Sequence, residues 1–359
     1  MQQQIRFCKS FDGVRIAYAT SGEGPALVRA PHWLTHLEYE WQSPIWRPWI
    51  TALSKRHQLV RMDARGCGLS DRGLEAISFE AFVRDLEAVV DALGLERFAL
   101  FGHSQGGAIG IEYAVRHAER LTHFVLLGAY ARGWFKRGLP PERMEELEAQ
   151  LKLVETGWGR EEDASYRRMF ASQFMPGATL EQLHSLSELQ RVSATPGDAV
   201  RLLRAMWDID VSGALPAVRS PTLVVHARGD LRCPFEQGRA IASTIPGAKF
   251  VPLESPNHIL LEHEPAFRQF FDELNAFVPG VPGAANRERF PALTAREAEI
   301  LERIAQGLDN AQIAAHLALS EKTVRNHITH IFDKIGVESR AQAIVRAREQ
   351  GLGQQSRRS

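Results

Sequence analysis

Short apolar segments alternate with amphipathic segments along most of the chain, and this alternation constrains the fold more than any other feature. Each apolar segment is rich in Val and Leu and is bounded by Gly, Pro or Asp. The segments are residues 26–30, 57–62, 98–101, 124–127, 222–225 and 249–253. Buried parallel strands have this character. Amphipathic stretches such as FEAFVRDLEAVVDAL, which begins at Phe79, lie between several of them. The sequence therefore predicts an α/β fold built on a doubly wound, mostly parallel sheet.

One long insert, at about 131–210, interrupts this alternation. It has helical periodicity and no clear strand, which predicts a helical cap over one edge of the sheet. The insert also contains several aromatic residues, among them Trp134, Phe135, Trp158, Phe170, Phe174 and Trp207. Two interpretations stay open. These side chains either line an apolar ligand pocket or form the core of the cap itself.

A linker is predicted where the sequence reads VPGVPGAAN, at 278–286, because this segment fits neither a helical nor an alternating pattern. The predicted divisions are a first domain at 1–277, a linker at 278–289, a second domain at 290–352 and a tail at 353–359. The chain has no net charge, but from Arg287 onward it has 12 Lys and Arg against 9 Asp and Glu. A basic C-terminal part is compatible with a nucleic-acid partner.

The three cysteines, Cys8, Cys67 and Cys233, are odd in number and far apart, which argues against a disulfide framework and a zinc site. The N-terminal sequence MQQQIRF lacks the basic and apolar regions of a signal peptide. No apolar run approaches membrane-spanning length. We therefore expect a cytoplasmic protein without a membrane segment, and we predict neither a cofactor nor a metal ion.

Ser104 lies between two glycines in the sequence FGHSQGGA, as Gly102-x-Ser104-x-Gly106. A strand pattern precedes it and a helix pattern follows, which is the context of a nucleophile elbow. Side chains at 102 and 106 are expected to collide with the neighbouring strand and helix. The alternative is a glycine-rich strand–helix turn with a serine that has no chemical role.

A serine hydroxyl becomes a good nucleophile only when a base takes its proton and an acid orients that base. Two later strand patterns run into suitable residues: TLVV leads to Asp230, and KFVPL leads to His258. Both follow Ser104 in the order serine, acid, histidine. The sequence therefore predicts a catalytic triad.

Residues 1–277 resemble the cap-containing, esterase-like α/β-hydrolases. The resemblance is carried by FDGVRIAYATSGEGPALV, MDARGCGLSD, GHSQGG, HARGD and PNHILLEHEP. It implies that Ser104 is the nucleophile, His258 the base and Asp230 the acid. It also implies an oxyanion hole formed by the backbone N–H groups of Gln105 and Trp33. The family usually has His-Gly before the second donor, whereas this chain reads Pro-His-Trp.

Three other histidines require a plainer interpretation. His32 and His36 are expected near the mouth of the pocket. His103 is expected to point away from it, although it precedes Ser104 in the chain.

The region after the linker shows four short helix patterns with N-terminal capping residues. The capping residues are Thr294 with Glu297, Asp309 with Gln312, Ser320, and Ser339 with Gln342. The third helix has a polar face of Lys322, Arg325, Asn326, Thr329 and His330. Such a face can bind phosphates and base edges, although any solvated helix also has a polar face. The tight gap before this helix suits a helix-turn-helix.

Residues 290–350 resemble the DNA-binding domain of LuxR-type regulators. The resemblance is carried by LTAREAEIL, IAQG, IAAHL, TVRNH and KIGV. It implies that Arg325, Asn326 and Thr329 face the DNA groove. It implies that Lys322, Thr323 and His330 contact phosphates or nearby base edges. The fourth helix is then the dimer contact, through Ala341, Ile344 and Val345.

Three functional hypotheses follow. The chain is a transcriptional regulator that binds double-stranded DNA as a homodimer and senses a small organic ligand, without a cofactor. Alternatively, it is an active serine hydrolase of an ester or lactone that also regulates its own pathway. In the third hypothesis, an inactive hydrolase fold serves only as an apolar binding pocket.

Overall fold

A computed structural model describes residues 1–160, 164–280, 290, 292–350 and 352–353. The chain divides into two compact units, Met1–Val278 and Pro279–Ser359. Most of the predicted linker, from 281 to 289, and the tail beyond 353 lie outside the described residues. No helix in the described ranges combines the length and the apolar character needed to cross a bilayer.

The first unit is built on an eight-stranded sheet with the order β1-β2-β4-β3-β5-β6-β7-β8. The strands are β1 (Gln3–Lys9), β2 (Arg15–Ser21), β3 (Ala26–Arg29), β4 (Gln58–Met62), β5 (Phe98–His103), β6 (Leu121–Leu127), β7 (Thr222–Ala227) and β8 (Lys249–Leu253). The strands from β4 to β8 pair in parallel, whereas β1–β2 and β2–β4 pair antiparallel. This confirms the predicted mostly parallel sheet.

Helices cover both faces of this sheet. Outside the insert they are α1 (Leu37–Gln42), α2 (Trp46–Ser54), α3 (Phe79–Ala92), α4 (Gln105–Arg116), α9 (Phe235–Thr244) and α10 (Pro265–Phe277). Successive strand residues point to opposite faces. In β5, Leu100 packs against α4 at Gly110, while Phe101 stacks on Trp49 of α2 and on Phe270 of α10. The sheet is therefore doubly wound.

The predicted cap is also helical. It consists of α5 (Pro141–Gly157), α6 (Ser165–Ser172), α7 (Leu180–Ser193) and α8 (Pro196–Trp207). An isolated antiparallel bridge between Arg132 and Asp210 closes its base. Trp158 and Phe170 are fully buried and pack edge to face, with ring centroids 5.6 Å apart. These two aromatic residues therefore belong to the core of the cap.

The C-terminal unit is helical throughout its described elements. These are α11 (Ala295–Ala305), α12 (Asn310–Leu317), α13 (Glu321–Ile335) and α14 (Arg340–Glu349). The predicted caps are present, with reciprocal capping boxes at Thr294 and Asp309. Only three residues separate α12 from α13, and Ala318 there has a φ of 51°. This sharp turn produces the predicted helix-turn-helix.

Glu297→Gln is expected to lower the stability of the C-terminal unit by about 2 kcal/mol at pH 7. The buried carboxylate accepts hydrogen bonds from the Thr294 N–H at 2.7 Å and from the Lys334 ammonium at 2.7 and 2.9 Å. Burial alone would raise the pKa of Glu297, but Lys334 and Thr294 lower it to about 2. The stabilisation is therefore present above about pH 4.3, where an unfolded-state glutamate ionises, and is lost as the pH falls toward 2.

Hydrogen exchange of the α11 and α13 amides measures this effect, and we expect exchange about 30-fold faster at pH 7 in the variant. Glu299→Gln is the matched control on the same helix. Its ion pair with Arg296 is partly exposed, so its loss is worth less than about 0.5 kcal/mol. Equal acceleration in both variants would contradict a special role for the buried carboxylate.

Candidate active site and nucleic-acid interface

Ser104 stands at the sharp turn between β5 and α4, with a φ of 56° and a ψ of −125°. Backbone conformations of this kind are strained for a residue with a side chain and concentrate at functional sites. The turn is held by two hydrogen bonds, from the Ser104 N–H to Leu127 O at 3.0 Å and from the Gly107 N–H to Ser104 O at 2.9 Å. The strained turn thus has the form of a nucleophile elbow.

Three glycines allow the backbone to approach its neighbours closely at this turn. A Cβ atom on Gly102 would lie 2.6 Å from the Cα of Gly107, and one on Gly106 would lie 2.9 Å from Ala30 O. A Cβ on Gly107 would lie 2.3 Å from the Cβ of Ala129. The collisions predicted for positions 102 and 106 are therefore confirmed.

An acid–base pair lies at the ends of β7 and β8. Asp230 follows β7, His258 follows β8, and both side chains are buried. His258 Nδ1 lies 2.6 Å from Asp230 Oδ2, so Nδ1–H donates to the carboxylate. The other carboxylate oxygen accepts from the backbone N–H groups of Arg232 and Cys233, at 2.9 and 2.7 Å. With Nδ1 bonded, Nε2 is the nitrogen left for a proton transfer.

Ser104 and His258 line the same narrow cavity. The other lining residues are His32, Trp33, Trp46, His103, Phe174, Leu186 and Ile259. The structure therefore brings the nucleophile and base positions together. It does not form a hydrogen bond between them, because the buried His258 Nε2 has no hydrogen-bond partner among the described residues. Catalytic hydrogen bonds are often long before a substrate is bound.

The residues of the two predicted oxyanion donors both lie near Ser104, since Gln105 follows it in the chain and Trp33 lines the same cavity. The N–H of Gln105 is the first of α4, and the first N–H groups of a helix have no partner within it. Trp33 lines the cavity, and the loop before it packs against the elbow at Gly106. In the same loop, Leu34 has a φ of 45°, a backbone conformation that is rare for a residue with a bulky side chain. The sequence pattern does not reveal this strained residue.

A buried ion cluster supports the same loop, and sequence reasoning missed it. Glu40 Oε2 accepts from Arg29 Nη2 at 2.6 Å and from Arg61 Nη1 at 2.8 Å, and all three side chains are buried. Glu40 Oε1 lies 3.4 Å from Nε2 of His32, whose Nδ1 donates to Trp33 O at 3.0 Å. Burial alone would raise the pKa of Glu40, but Arg29, His32 and Arg61 hold it well below its usual range.

The remaining histidines differ in their surroundings. The expectation that His103 points away from the pocket is wrong, because His103 lines the Ser104 cavity and stacks on His258, with ring centroids 5.0 Å apart. Burial holds the pKa of His103 well below its usual value. His32 lines the Ser104 cavity, as expected. His36 instead lines a separate groove of about 460 Å³ beside Tyr39. That groove is wider, but neither Ser104 nor His258 lines it, so we place the chemistry in the narrower cavity.

A second cavity adjoins Ser104 on the side of the cap. Its other lining residues are Tyr130, Trp134, Arg137, Phe174, Met206, Trp207, Arg232 and Cys233. Three of these cap aromatics, Trp134, Phe174 and Trp207, therefore line the cavity, whereas Trp158 and Phe170 form the cap core. Both interpretations of the aromatic residues are thus correct in part. Among the described residues, no group of three His, Cys, Asp or Glu side chains is placed to hold a metal ion.

The polar face of α13 is exposed in the C-terminal unit. The side chains of Val324, Ile328, Ile331 and Ile335 form the buried stripe. On the other faces, the exposed predicted DNA-contact residues are Lys322, Arg325, Asn326, Thr329 and His330. Thr323 is half-buried, and its hydroxyl is bonded to Ser320 Oγ at 2.8 Å. The Thr323 hydroxyl therefore already has a hydrogen-bond partner at the start of the helix.

Comparison with known proteins finds two different families in the two units of the chain. A family model described as alpha/beta hydrolase fold matches residues 37–265, and one described as bacterial regulatory proteins, luxR family, matches residues 291–347. AB hydrolase superfamily protein YisY of Bacillus subtilis is 27% identical over 257 residues, which cover 70% of this chain and 91% of YisY.

Solved structures show the same fold. The esterase EaEST from Exiguobacterium antarcticum has a TM-score of 0.64 and 22% identity, over 76% of this chain and 98% of its own. The enol-lactonase from Burkholderia xenovorans LB400 has a TM-score of 0.60 and 24% identity, over 76% of this chain and 99% of its own. The chain therefore belongs to the α/β-hydrolase fold family and also carries a helix-turn-helix domain of the luxR family of bacterial regulatory proteins.

Proposed function

We propose that this protein is a DNA-binding transcriptional regulator whose hydrolase-fold unit binds a small organic ligand. One observation carries the proposal: a luxR-family domain with an exposed polar recognition helix shares its chain with a unit whose cavity holds Ser104 and His258. The second helix of a helix-turn-helix enters the major groove, where side chains contact base edges. The cavity beside Ser104 supplies the ligand site.

The exposed residues of α13 have distinct expected roles. Arg325 and Asn326 can each make two hydrogen bonds to one base edge, Arg to guanine and Asn to adenine. Lys322, near the start of the helix, is a point charge suited to a phosphate. On α14, Ala341 and Val345 line an open groove and Val345 is 57% exposed, whereas Ile344 packs against the core of the unit. We assign the surface around Ala341 and Val345 to a homodimer contact.

Arg325→Ala and Asn326→Ala are each expected to weaken binding of the preferred operator by about 10- to 100-fold, because each good bidentate contact is worth about 1–3 kcal/mol. Operators are first selected from random duplexes with the wild-type chain, and affinity is then measured by gel shift. Lys322→Ala is expected to weaken all sequences alike and to reduce the salt slope by about one.

Lys152→Ala is the charge-matched control, because Lys152 is exposed in the hydrolase-fold unit and pairs with Glu155. It should bind DNA as the wild type does. If the Arg325→Ala, Asn326→Ala double variant retains full operator affinity, α13 is not the recognition helix.

A second function is favoured by the site geometry. The strained Ser104 backbone and the 2.6 Å His258–Asp230 contact support hydrolysis of an ester or lactone through an acyl-enzyme. The two functions are compatible, because an enzyme that consumes its signal also senses it. If the unit only binds, Ser104 is not acylated, and labelling with a fluorophosphonate probe separates these cases.

A further inference from the structure

Two arginine side chains line the cavity beside Ser104. Arg137 comes from the start of the cap, and Arg232 comes from the loop after β7. In the described part of the chain, no carboxylate oxygen lies within 4 Å of either guanidinium group. Arg137 Nη1 is buried and has no hydrogen-bond partner among the described residues. The cavity therefore contains two cationic groups without a protein counterion.

Aromatic rings fix the position of both guanidinium groups. Arg137 lies over Trp134 at 4.3 Å and over Tyr130 at 5.7 Å, and its Nε donates to Arg132 O at 2.9 Å. A guanidinium that lies over a ring keeps its N–H edge available for hydrogen bonds.

Arg232 is held in the same manner. It lies over Phe174 at 4.9 Å and over Phe170 at 5.1 Å. Its Nη1 donates to Gln173 Oε1 at 3.3 Å. Both arginines are therefore oriented before any ligand enters.

Within the described ranges, no carboxylate forms an ion pair with either arginine. Asp230 is close in sequence, but its oxygens are occupied by His258 and by two backbone N–H groups. Burial raises the pKa of the Cys233 thiol, which keeps it neutral. Burial also lowers the pKa of Arg232 to about 10, so the guanidinium stays charged at pH 7. Both arginine side chains are partly buried, and a partly desolvated cation is stabilised when an anion pairs with it.

We propose that Arg137 and Arg232 form a carboxylate subsite, so that the ligand of this unit is an ester or lactone whose acyl part carries a carboxylate. This inference rests on the proposed function of the same site. The acyl side follows from the chemistry of the triad. A leaving-group oxygen must take its proton from His258 Nε2, and His258 lines the other cavity but not this one.

The cavity is narrow, with about 20 Å³ available to the centre of a water molecule, which is room for about one water. An acyl chain therefore requires the cap residues Met206 and Trp207 to move. A short diacid half-ester is the smallest ligand that offers an ester carbonyl to Ser104 and a carboxylate to the arginines.

The test compares two esters of equal chain length with the full-length protein: p-nitrophenyl hydrogen glutarate, which ends in a carboxylate, and p-nitrophenyl valerate, which ends in a methyl group. We expect kcat/KM for the glutarate to exceed that for the valerate by about tenfold or more, as for hydrogen bonds to a charged group. Arg137→Met and Arg232→Met should each reduce this preference about tenfold, and Arg232→Lys should retain part of it.

Arg228→Met is the matched control. Arg228 also lies over a ring, that of Phe235 at 5.0 Å, but it is exposed and paired with Glu254 at 2.8 Å. It should leave the preference unchanged. Because the readout is a ratio of two substrates, a general loss of activity in a variant cancels. An equal rate for both esters, or a preference that survives both methionine variants, would overturn the subsite.

A binding measurement separates this proposal from the proposed hydrolysis. Ser104→Ala is titrated with monomethyl glutarate and with methyl valerate, and the fluorescence of Trp134 and Trp207 in the cavity reports binding. Preferential binding of the glutarate without any hydrolysis by the wild type supports the subsite and contradicts the proposed hydrolase activity. Hydrolysis of both esters without preferential binding supports the proposed hydrolase activity and contradicts the carboxylate subsite.

Discussion

Ser104→Ala is expected to lower the turnover of p-nitrophenyl butyrate by about 10⁴-fold or more, because the loss of a triad nucleophile leaves only binding and the oxyanion donors. The reason lies in the geometry of the elbow. The residue at the strained turn shares a cavity with His258, whose Nε2 has no hydrogen-bond partner there, and among the described residues no other serine or cysteine side chain lines that cavity. Release of nitrophenolate measures the loss directly.

The matched control is Ser220→Ala, which removes a buried hydroxyl just before β7, away from this cavity. It should retain full turnover. A fluorophosphonate probe should label the wild type and not Ser104→Ala. Turnover that survives in Ser104→Ala would assign the activity to another site. A wild type that neither turns over esters nor reacts with the probe would leave the fold as a binding pocket only.

Ser104→Ala also tests the regulator. Because α13 contains the proposed DNA contacts, operator affinity without a ligand should be the same as in the wild type. If an ester changes operator affinity only in the wild type, the response depends on acylation. If it does so in both proteins, ligand binding alone is sufficient.

The parallel strands were predictable because each is a short apolar run. Most are buried on both faces, and the edge strand β8 is buried at Val251 and Leu253. The antiparallel pair β1 and β2 was not among those runs. In β1, every residue is half-buried or exposed, and Phe7 is 51% exposed. Because neither face of this edge strand is fully covered, its sequence QQIRFCK has no continuous apolar run.

The positions of Ser104, Asp230 and His258 were predictable for a topological reason. The carboxyl ends of parallel strands lie at one edge of the sheet, so residues that follow β5, β7 and β8 must come close together. The helix caps were predictable because a capping box spans only four residues. Both inferences need only local sequence and strand order.

Two features could not be inferred in this way. One is that Arg137 and Arg232 line the same cavity, and the other is the ion pairs of Glu40 with Arg29 and Arg61. Arg137 lies in the cap insert, and nothing local in the sequence sets where the cap meets the loop after β7. Glu40 lies on the short helix α1, between exposed Glu38 and half-buried Trp41, and the sequence does not show which of its charged residues turns inward. These contacts depend on tertiary packing.

Substitution of Glu40 is expected to have a large effect on the stability of the hydrolase-fold unit. Its carboxylate is fully buried, and it is the counterion of both buried guanidinium groups. Glu40→Gln is expected to lower the free energy of unfolding of the hydrolase-fold unit by about 3–5 kcal/mol, because it leaves buried charges without a partner. Urea unfolding followed by tryptophan fluorescence measures this, since all seven tryptophans of the chain precede residue 278.

The stabilisation by the Glu40 carboxylate depends on pH and is lost in acid. The pKa of Glu40 is held well below its usual range in the folded unit. Its stabilisation is therefore complete above about pH 4.3, the ordinary pKa of a glutamate, and falls only at lower pH. The difference between wild type and Glu40→Gln should be constant from pH 5 upward. Glu38→Gln, an exposed change two residues earlier on α1, should alter stability by less than about 0.5 kcal/mol.

Replacing the whole ion cluster separates its contribution to stability from its support of the oxyanion loop. In Arg29→Met, Glu40→Met, Arg61→Met, no buried charge is left unpaired, so most of the lost stability should return. Glu40 also faces His32, which donates to Trp33 O, and that contact is absent from the triple variant. Ester turnover should therefore remain below that of the wild type although the unit is stable. Full turnover in the triple variant would show that the loop holds its position without the cluster.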